Sequence, residues 1–324
     1  MTQPVTAPIG EASLAGSGGR GGRGGRRGDA VSARLATGAG VLILVVLAGV
    51  AAFLVAESLP ALSAKQADLP RGQSLLSYTT PLIFGTVLAA TLALLFAGPV
   101  ALGIALFISH YAPRRIAVIL GYGVDLLAAI PSVVYGLWGI VFLAPQLVPA
   151  YRWLAEHASW IPLFAGPASA TGRTILTVGI VLAVMVLPIM TAICREIFLQ
   201  TPRLHEEAAL ALGATRWEMV RMTVLPFAKS GIVSAAMLAL GRALGETMAV
   251  ALVLSVGGGV SANLISSQNP ATIAANIALQ FPESSGIAVN ALIFTGLVLF
   301  VITLAVNLAA RAFIARTAEF SGAN

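Results

Sequence analysis

Residues 195–231, REIFLQTPRLHEEAALALGATRWEMVRMTVLPFAKSG, interrupt two long apolar runs with five basic and four acidic side chains. Within this stretch PRLHEEAALALG predicts a short helix. Pro202 stands near its start, Glu206 and Glu207 occupy its early turns, and Ala and Leu carry it on to Gly213, whose permissive backbone ends it. ATRWEMVRMTVLP predicts a second short amphipathic helix, stopped by Pro226. The pair forms a helix–turn–helix lying flat against one membrane face, with Ala208, Ala209 and Leu212 as a small apolar knob flanked by Glu206 and Glu207. A hairpin resting on lipid headgroups is the plain structural alternative. Two adjacent glutamates at an anionic surface oppose it, and a protein partner with a basic-rimmed cleft fits better.

Outside this loop the chain is written for lipid. Of 324 residues, 58% are apolar and only 10% charged, against about a quarter charged in soluble domains. Six stretches, about 37–57, 80–109, 117–144, 174–195, 229–256 and 287–311, are long enough to cross a hydrocarbon core as helices. No period-two alternation supports a membrane β-barrel. Orientation follows from the basic residues: with both termini inside, fourteen of the nineteen Lys and Arg fall in cytoplasmic segments and four outside. The net charge of +6 therefore reflects topology and implies no nucleic-acid partner. The reading divides the chain into a disordered Gly/Arg-rich tail (1–35), a membrane domain (36–316) with its loop at 196–228, and a short cytoplasmic C-terminal tail (317–324). A cleavable signal peptide over 20–57 is the rival at the N-terminus; the apolar run there is longer than a usual signal core, which favours an uncleaved helix.

Prolines 99 and 131 fall inside predicted spans and bend them, either to open a cavity or simply to pack. The segments 145–173 and 257–286 are expected outside, the first with an interfacial belt of Tyr151, Trp153 and Trp160, the second with one short helix near 270–280. Cys194 is a single cysteine and reads as a small buried apolar group; His110, His157 and His205 have no metal-ligand spacing. No G-x-x-x-x-G-K-[ST] phosphate loop is present, so ATP chemistry would belong to another chain. Neither an activated nucleophile nor a carboxylate–histidine cluster points to a membrane enzyme. An ion-coupled secondary transporter would call for internal repeats, broken midplane helices and more coupling carboxylates.

Three ionisable residues, Asp125, Arg242 and Glu246, lie within predicted spans, where charge faces a bundle interior or a water-filled route. Arg242 lies about 18 Å into the fifth helix, near the midplane. Glu246 follows it at i+4 on the same helical face and can pair with it. The pair is either a structural ion pair or a charge-balanced site on an oxyanion route, for which the forked guanidinium is suited. Asp125 is open between a gate and a helix-packing partner. Ser132 and Tyr135 are candidates to line the same cavity with hydroxyls.

The loop carries a resemblance. Glu207-Ala208-Ala209, three residues, Gly213, nine residues, then Thr223-Val224-Leu225-Pro226 resembles the EAA motif of ABC importer permeases, with Thr223 where that pattern prefers isoleucine. LLAAIPSVVYGLWG (126–139), LGATRWE (212–218) and LGRALGETMAV (240–250) narrow it: the chain, over roughly 78–311, is similar to the permeases of the phosphate-specific ABC importer, in particular the C-type of its two homologous permeases. The resemblance implies an all-α, six-helix type I importer fold with a cytoplasmic coupling helix, in a bacterial inner membrane. It implies that Glu206, Glu207, Ala208, Ala209, Leu212, Gly213 and Pro226 couple to an ATPase subunit, and it favours Arg242 as a pathway residue. The partners it implies are a homologous sister permease, two cytoplasmic ABC ATPases that use ATP and Mg²⁺, and an extracytoplasmic phosphate-binding protein, with no cofactor on this chain. A permease for another oxyanion, molybdate or sulfate, is the neighbouring alternative.

Overall fold

The computed structural model describes residues 23–256 and 259–320. Among these, six helical segments are long and apolar enough to cross a bilayer: 31–63, 75–111, 132–157, 175–199, 216–244 and 287–315. The architecture is nearly all helical, and its single isolated β-bridge joins Val256 to Asn269. Four spans coincide with the hydropathy expectation; the third and fifth are shifted along the chain, each for a reason rooted in backbone hydrogen bonding.

Helix α1 (Arg23–Ser63) starts earlier than the tail boundary expected at 35, because Ala, Arg and Leu between Asp29 and Leu35 are helix formers with no breaker among them. The rest of the proposed tail, residues 1–22, lies outside the described residues. The chain up to Ala52 is one compact unit and Phe53–Asn324 another. In the first, every side chain from Val31 to Val50 is exposed.

Helix α2 (Leu75–Leu106) runs on through a π-helical turn at Phe107–Tyr111; α3 (Arg114–Ala128) follows. The third span is assembled from α4 (Ser132–Trp138), a π-helical turn (Gly139–Leu143) and α5 (Ala144–His157). Pro131 does not bend one helix, as expected, but separates two. A residue before proline is driven out of the α region and the proline brings no N–H. The chain therefore tightens: Ala129 and Ile130 donate to Leu126 O and Leu127 O, and the Tyr135 hydroxyl adds a bond to Leu127 O at 2.8 Å. As a result α3 is too short to cross a membrane alone, at about 22 Å, and Asp125 leaves the spans. That corrects its reading as an intramembrane residue.

Helix α6 (Ile175–Leu199) leads to α7 (Arg203–Ala211), then to α8 (Arg216–Met219), a π-helical turn (Val220–Val224) and α9 (Leu225–Leu244). Pro226 was expected to stop the second loop helix, yet helix continues through it. All three π turns end two residues before a proline, at Pro113, Pro145 and Pro226. Each closes with an i→i+5 bond, Leu225 N–H to Val220 O in the last case, and the wide turn gives the pyrrolidine ring room that an α turn denies it.

After a break, α10 (Met248–Val253), α11 (Ile273–Gln280) and α12 (Ile287–Phe320) complete the chain. α11 matches the short helix expected near 270–280. α12 extends past 316 because ARAFIARTAEF contains no breaker; residues 321–324 lie outside the described ones. The stretch before α11 packs on α2. Ile273 N–H donates to the Thr86 hydroxyl at 2.9 Å, Asn276 Nδ2 donates to the Tyr78 hydroxyl at 2.8 Å, and a Cβ at Gly85 would collide with Ala271 O.

The core is an alanine ladder. Ala89, Ala93, Ala97, Ala101 and Ala105, four residues apart, form one fully buried stripe of α2 packed against α6, with α9 alongside. Small residues let the helices approach closely: a Cβ at Gly179 of α6 would sit 2.7 Å from Leu92 Cβ. Ala97→Leu should therefore cost about 1–3 kcal/mol by overpacking and lower the thermal unfolding midpoint of the purified protein. Gly103→Ala, with open space around its Cβ position, should leave that midpoint unchanged.

Candidate anion pathway and coupling surface

The fifth hydrophobic run breaks at its two charges. α9 ends at Leu244, Gly245 caps it with φ −90° and ψ 0°, and α10 restarts at Met248. The continuous helix that would place Glu246 one turn above Arg242 is absent, and the expected ion pair does not form. Glu246 is buried, and its Oε1 accepts the Ala249 N–H at 3.1 Å, answering a free donor in the first turn of α10. Arg242 occupies the last turn of α9. Each charge thus complements the end of its own half-helix, cation at a C-terminus and anion at an N-terminus. Arg173 closes the other end of α10: its guanidinium donates to the carbonyls of Leu252, Val253 and Leu254 at 3.3–3.4 Å. The sequence had marked Arg173 only as an outside basic residue.

Arg242 opens into a cavity of about 690 Å³ between α9 and α12. Arg311, Asn307 and Ser234 share its wall with apolar side chains such as Met237 and Ile314, and no carboxylate lines it among the described residues. Arg311 and Asn307 were missed. Arg311 had been assigned to the cytoplasmic end of the last span, but the pair at i, i+4 in an apolar helix was the available signal. Two guanidinia, an amide and a hydroxyl give many donors and little negative charge. That set can bind an oxyanion.

The remaining candidates separate. Tyr135 lies within Coulombic range of Arg242, but its hydroxyl is engaged by Leu127 O, and neither it nor half-buried Ser132 lines the Arg242 cavity. Asp125 lines a different cavity, beside Arg195 and Arg114 on α6 and α3.

In the loop, Gly213 has φ +87°, a left-handed conformation that ends α7 and suits glycine. Thr215 caps α8 in a reciprocal capping box with Glu218. The expected knob splits between two faces. Ala209 is buried in the core and Glu206 faces His110, with Nε2 to Oε1 at 3.5 Å, so these two hold α7 to the membrane domain. Glu207, Ala208 and Leu204 point outward, as does Leu212, 89% exposed, with Trp217 beside them also uncovered.

Residues 99–319 match the family of binding-protein-dependent transport system inner membrane components, and the chain belongs to that family. Its relatives are more particular. It is 46% identical over 289 residues to the phosphate transport system permease protein PstC 2 of Mycobacterium tuberculosis, covering 86% of this chain and 89% of that one. It is 39% identical over 307 residues to the phosphate transport system permease protein PstC of Mesorhizobium japonicum, covering 91% and 92%. Two solved structures share the fold: the MetNI methionine ABC transporter in inward-facing conformations (TM-score 0.50, 17% identity, 75% of this chain and 95% of that one), and a bacterial ABC transporter involved in import of the acidic polysaccharide alginate (TM-score 0.51, 15% identity, 90% and 99%).

If Glu246 acts as a cap rather than as the partner of Arg242, Glu246→Ala should cost about 1 kcal/mol, the usual loss for an N-terminal cap. Glu246→Gln, which keeps an acceptor oxygen, should stay within about 0.5 kcal/mol of the parent. Thermal unfolding of the three proteins distinguishes the roles, since an ion pair would suffer from both substitutions.

Proposed function

We propose that this chain is the transmembrane permease subunit of an ATP-driven importer of inorganic phosphate. It supplies half of the translocation route, the other half coming from a homologous sister permease. Two cytoplasmic ABC ATPases hydrolyse ATP, and an extracytoplasmic binding protein delivers phosphate. The termini and α7 lie on the cytoplasmic side of a bacterial inner membrane, a placement supported by the excess of Lys and Arg in those segments. The observation that carries the reading is the convergence of Arg242 and Arg311 on one cavity without a carboxylate, in a chain whose relatives are named for phosphate transport.

The geometry supplies a mechanism. Residues 216–244 form one uninterrupted helical rod, about 43 Å long, running from the coupling loop to the break at Gly245. Ala209 and the His110–Glu206 contact tie α7 to the membrane domain, while Leu204, Glu207, Ala208 and Leu212 are free to seat in an ATPase groove. Displacement of α7 on ATPase closure is carried by the rod to Arg242 at its far end. There the guanidinium meets the anion with forked donors. Donors spread over two helices hold it loosely enough for release, as transport requires.

Reconstituted with its partner subunits in proteoliposomes, the complex should accumulate labelled phosphate. Arg242→Ala should lower uptake at least about tenfold through loss of a charge-assisted contact while the complex still assembles; undiminished uptake would remove Arg242 from the route. Gly213→Leu, strained by roughly 1–2 kcal/mol at a positive φ, should raise ATP hydrolysis per phosphate transported. An unchanged ratio would sink the coupling role of the loop.

A further inference from the structure

A second cavity, of about 530 Å³, lies where α3 packs against the last turns of α6, on the side of the membrane domain that carries α7. Arg114, Arg195, Ser109, Tyr122 and Asp125 line it. Arg195 is the organising residue. Its guanidinium rests directly on the backbone of Gly121, close enough that any side chain there would collide with it. It is half-buried, yet no carboxylate among the described residues comes within ion-pairing distance, although Asp125 shares the cavity. A guanidinium positioned this way and left without a counter-charge is poised for an anion.

We propose that this cavity binds a phosphate group, held by the Arg195 and Arg114 guanidinia with a hydroxyl donor from Tyr122. Two cations and one carboxylate leave the lining at a net charge of +1, which matches a phosphodiester monoanion and disfavours more highly charged anions. The rim is amphiphilic: Ile108, Val118 and Leu199 line the cavity, and the neighbouring surface of α3 exposes Ile116 and Ile119. Those surroundings suit the headgroup and ester region of an anionic phospholipid; a free phosphate ion offers the same central group. The site is wired to the coupling helix. Ser109 Oγ lies 2.7 Å from His110 Nδ1, and the Nε2 of the same ring faces Glu206 of α7.

The test uses the complex of this chain with its partner subunits, purified and exposed to phosphatidylglycerol or phosphatidylcholine, then measured by native mass spectrometry. In parallel, binding of radiolabelled inorganic phosphate is measured without anionic lipid. The wild-type complex should retain phosphatidylglycerol over phosphatidylcholine. Arg195→Ala should reduce that retention about tenfold. Gly121→Ala, which displaces the guanidinium but keeps its charge, should do the same, whereas Gly123→Ala, whose Cβ would meet nothing within 4 Å, should not. If the loss appears instead in labelled phosphate, the ligand is the free ion and the site stands. If Arg195→Ala and Gly121→Ala bind both probes as the wild type does, or the wild type retains neither, the proposal is overturned.

Discussion

The structure depends on one constraint: a backbone N–H or C=O that faces lipid must find its partner within the protein. Proline removes a donor, and several departures from ideal helix here mark how that loss is absorbed. Before Pro113, Pro145 and Pro226 the backbone widens into a π turn. Before Pro131 it tightens and borrows the Tyr135 hydroxyl. The break at Gly245 involves no proline: the Gly245 and Glu246 N–H groups close α9 on Gly241 O and Ala243 O, while α10 takes Glu246 at its start and Arg173 at its end.

These repairs position the chemistry. Because the π turn lets α8 run into α9, the coupling loop and Arg242 share one rigid element. Because α9 then stops, Arg242 stands at a helix end with its side chain free of Glu246, facing α12. Charge that looked balanced in sequence becomes divided in space: the carboxylate serves backbone, and the guanidinium is paired instead with a second cation across a cavity. The proposed anion pathway draws on that imbalance.

The same loop shows how a motif divides its labour. Glu206 and Ala209 anchor, while Glu207, Ala208 and Leu212 are presented. A helix of nine residues has too few turns to persist on propensity alone, so the anchoring face is what lets the outward face keep a shape.

Hydropathy is a sum over neighbouring residues, so the amino-acid sequence by itself determined the six spans, two of them with shifted bounds, and the first short helix of the loop. The motif spacing in 207–226 was legible for the same reason. The tertiary structure decided what depends on residues far apart in the chain. Arg311 lines one cavity with Arg242, Arg173 closes α10, the stretch before α11 folds onto α2, and Asp125 lines a cavity with Arg195 outside the spans. Periodicity places Arg242 and Glu246 on one face only if the helix is continuous, and continuity depends on whether distant groups satisfy its backbone.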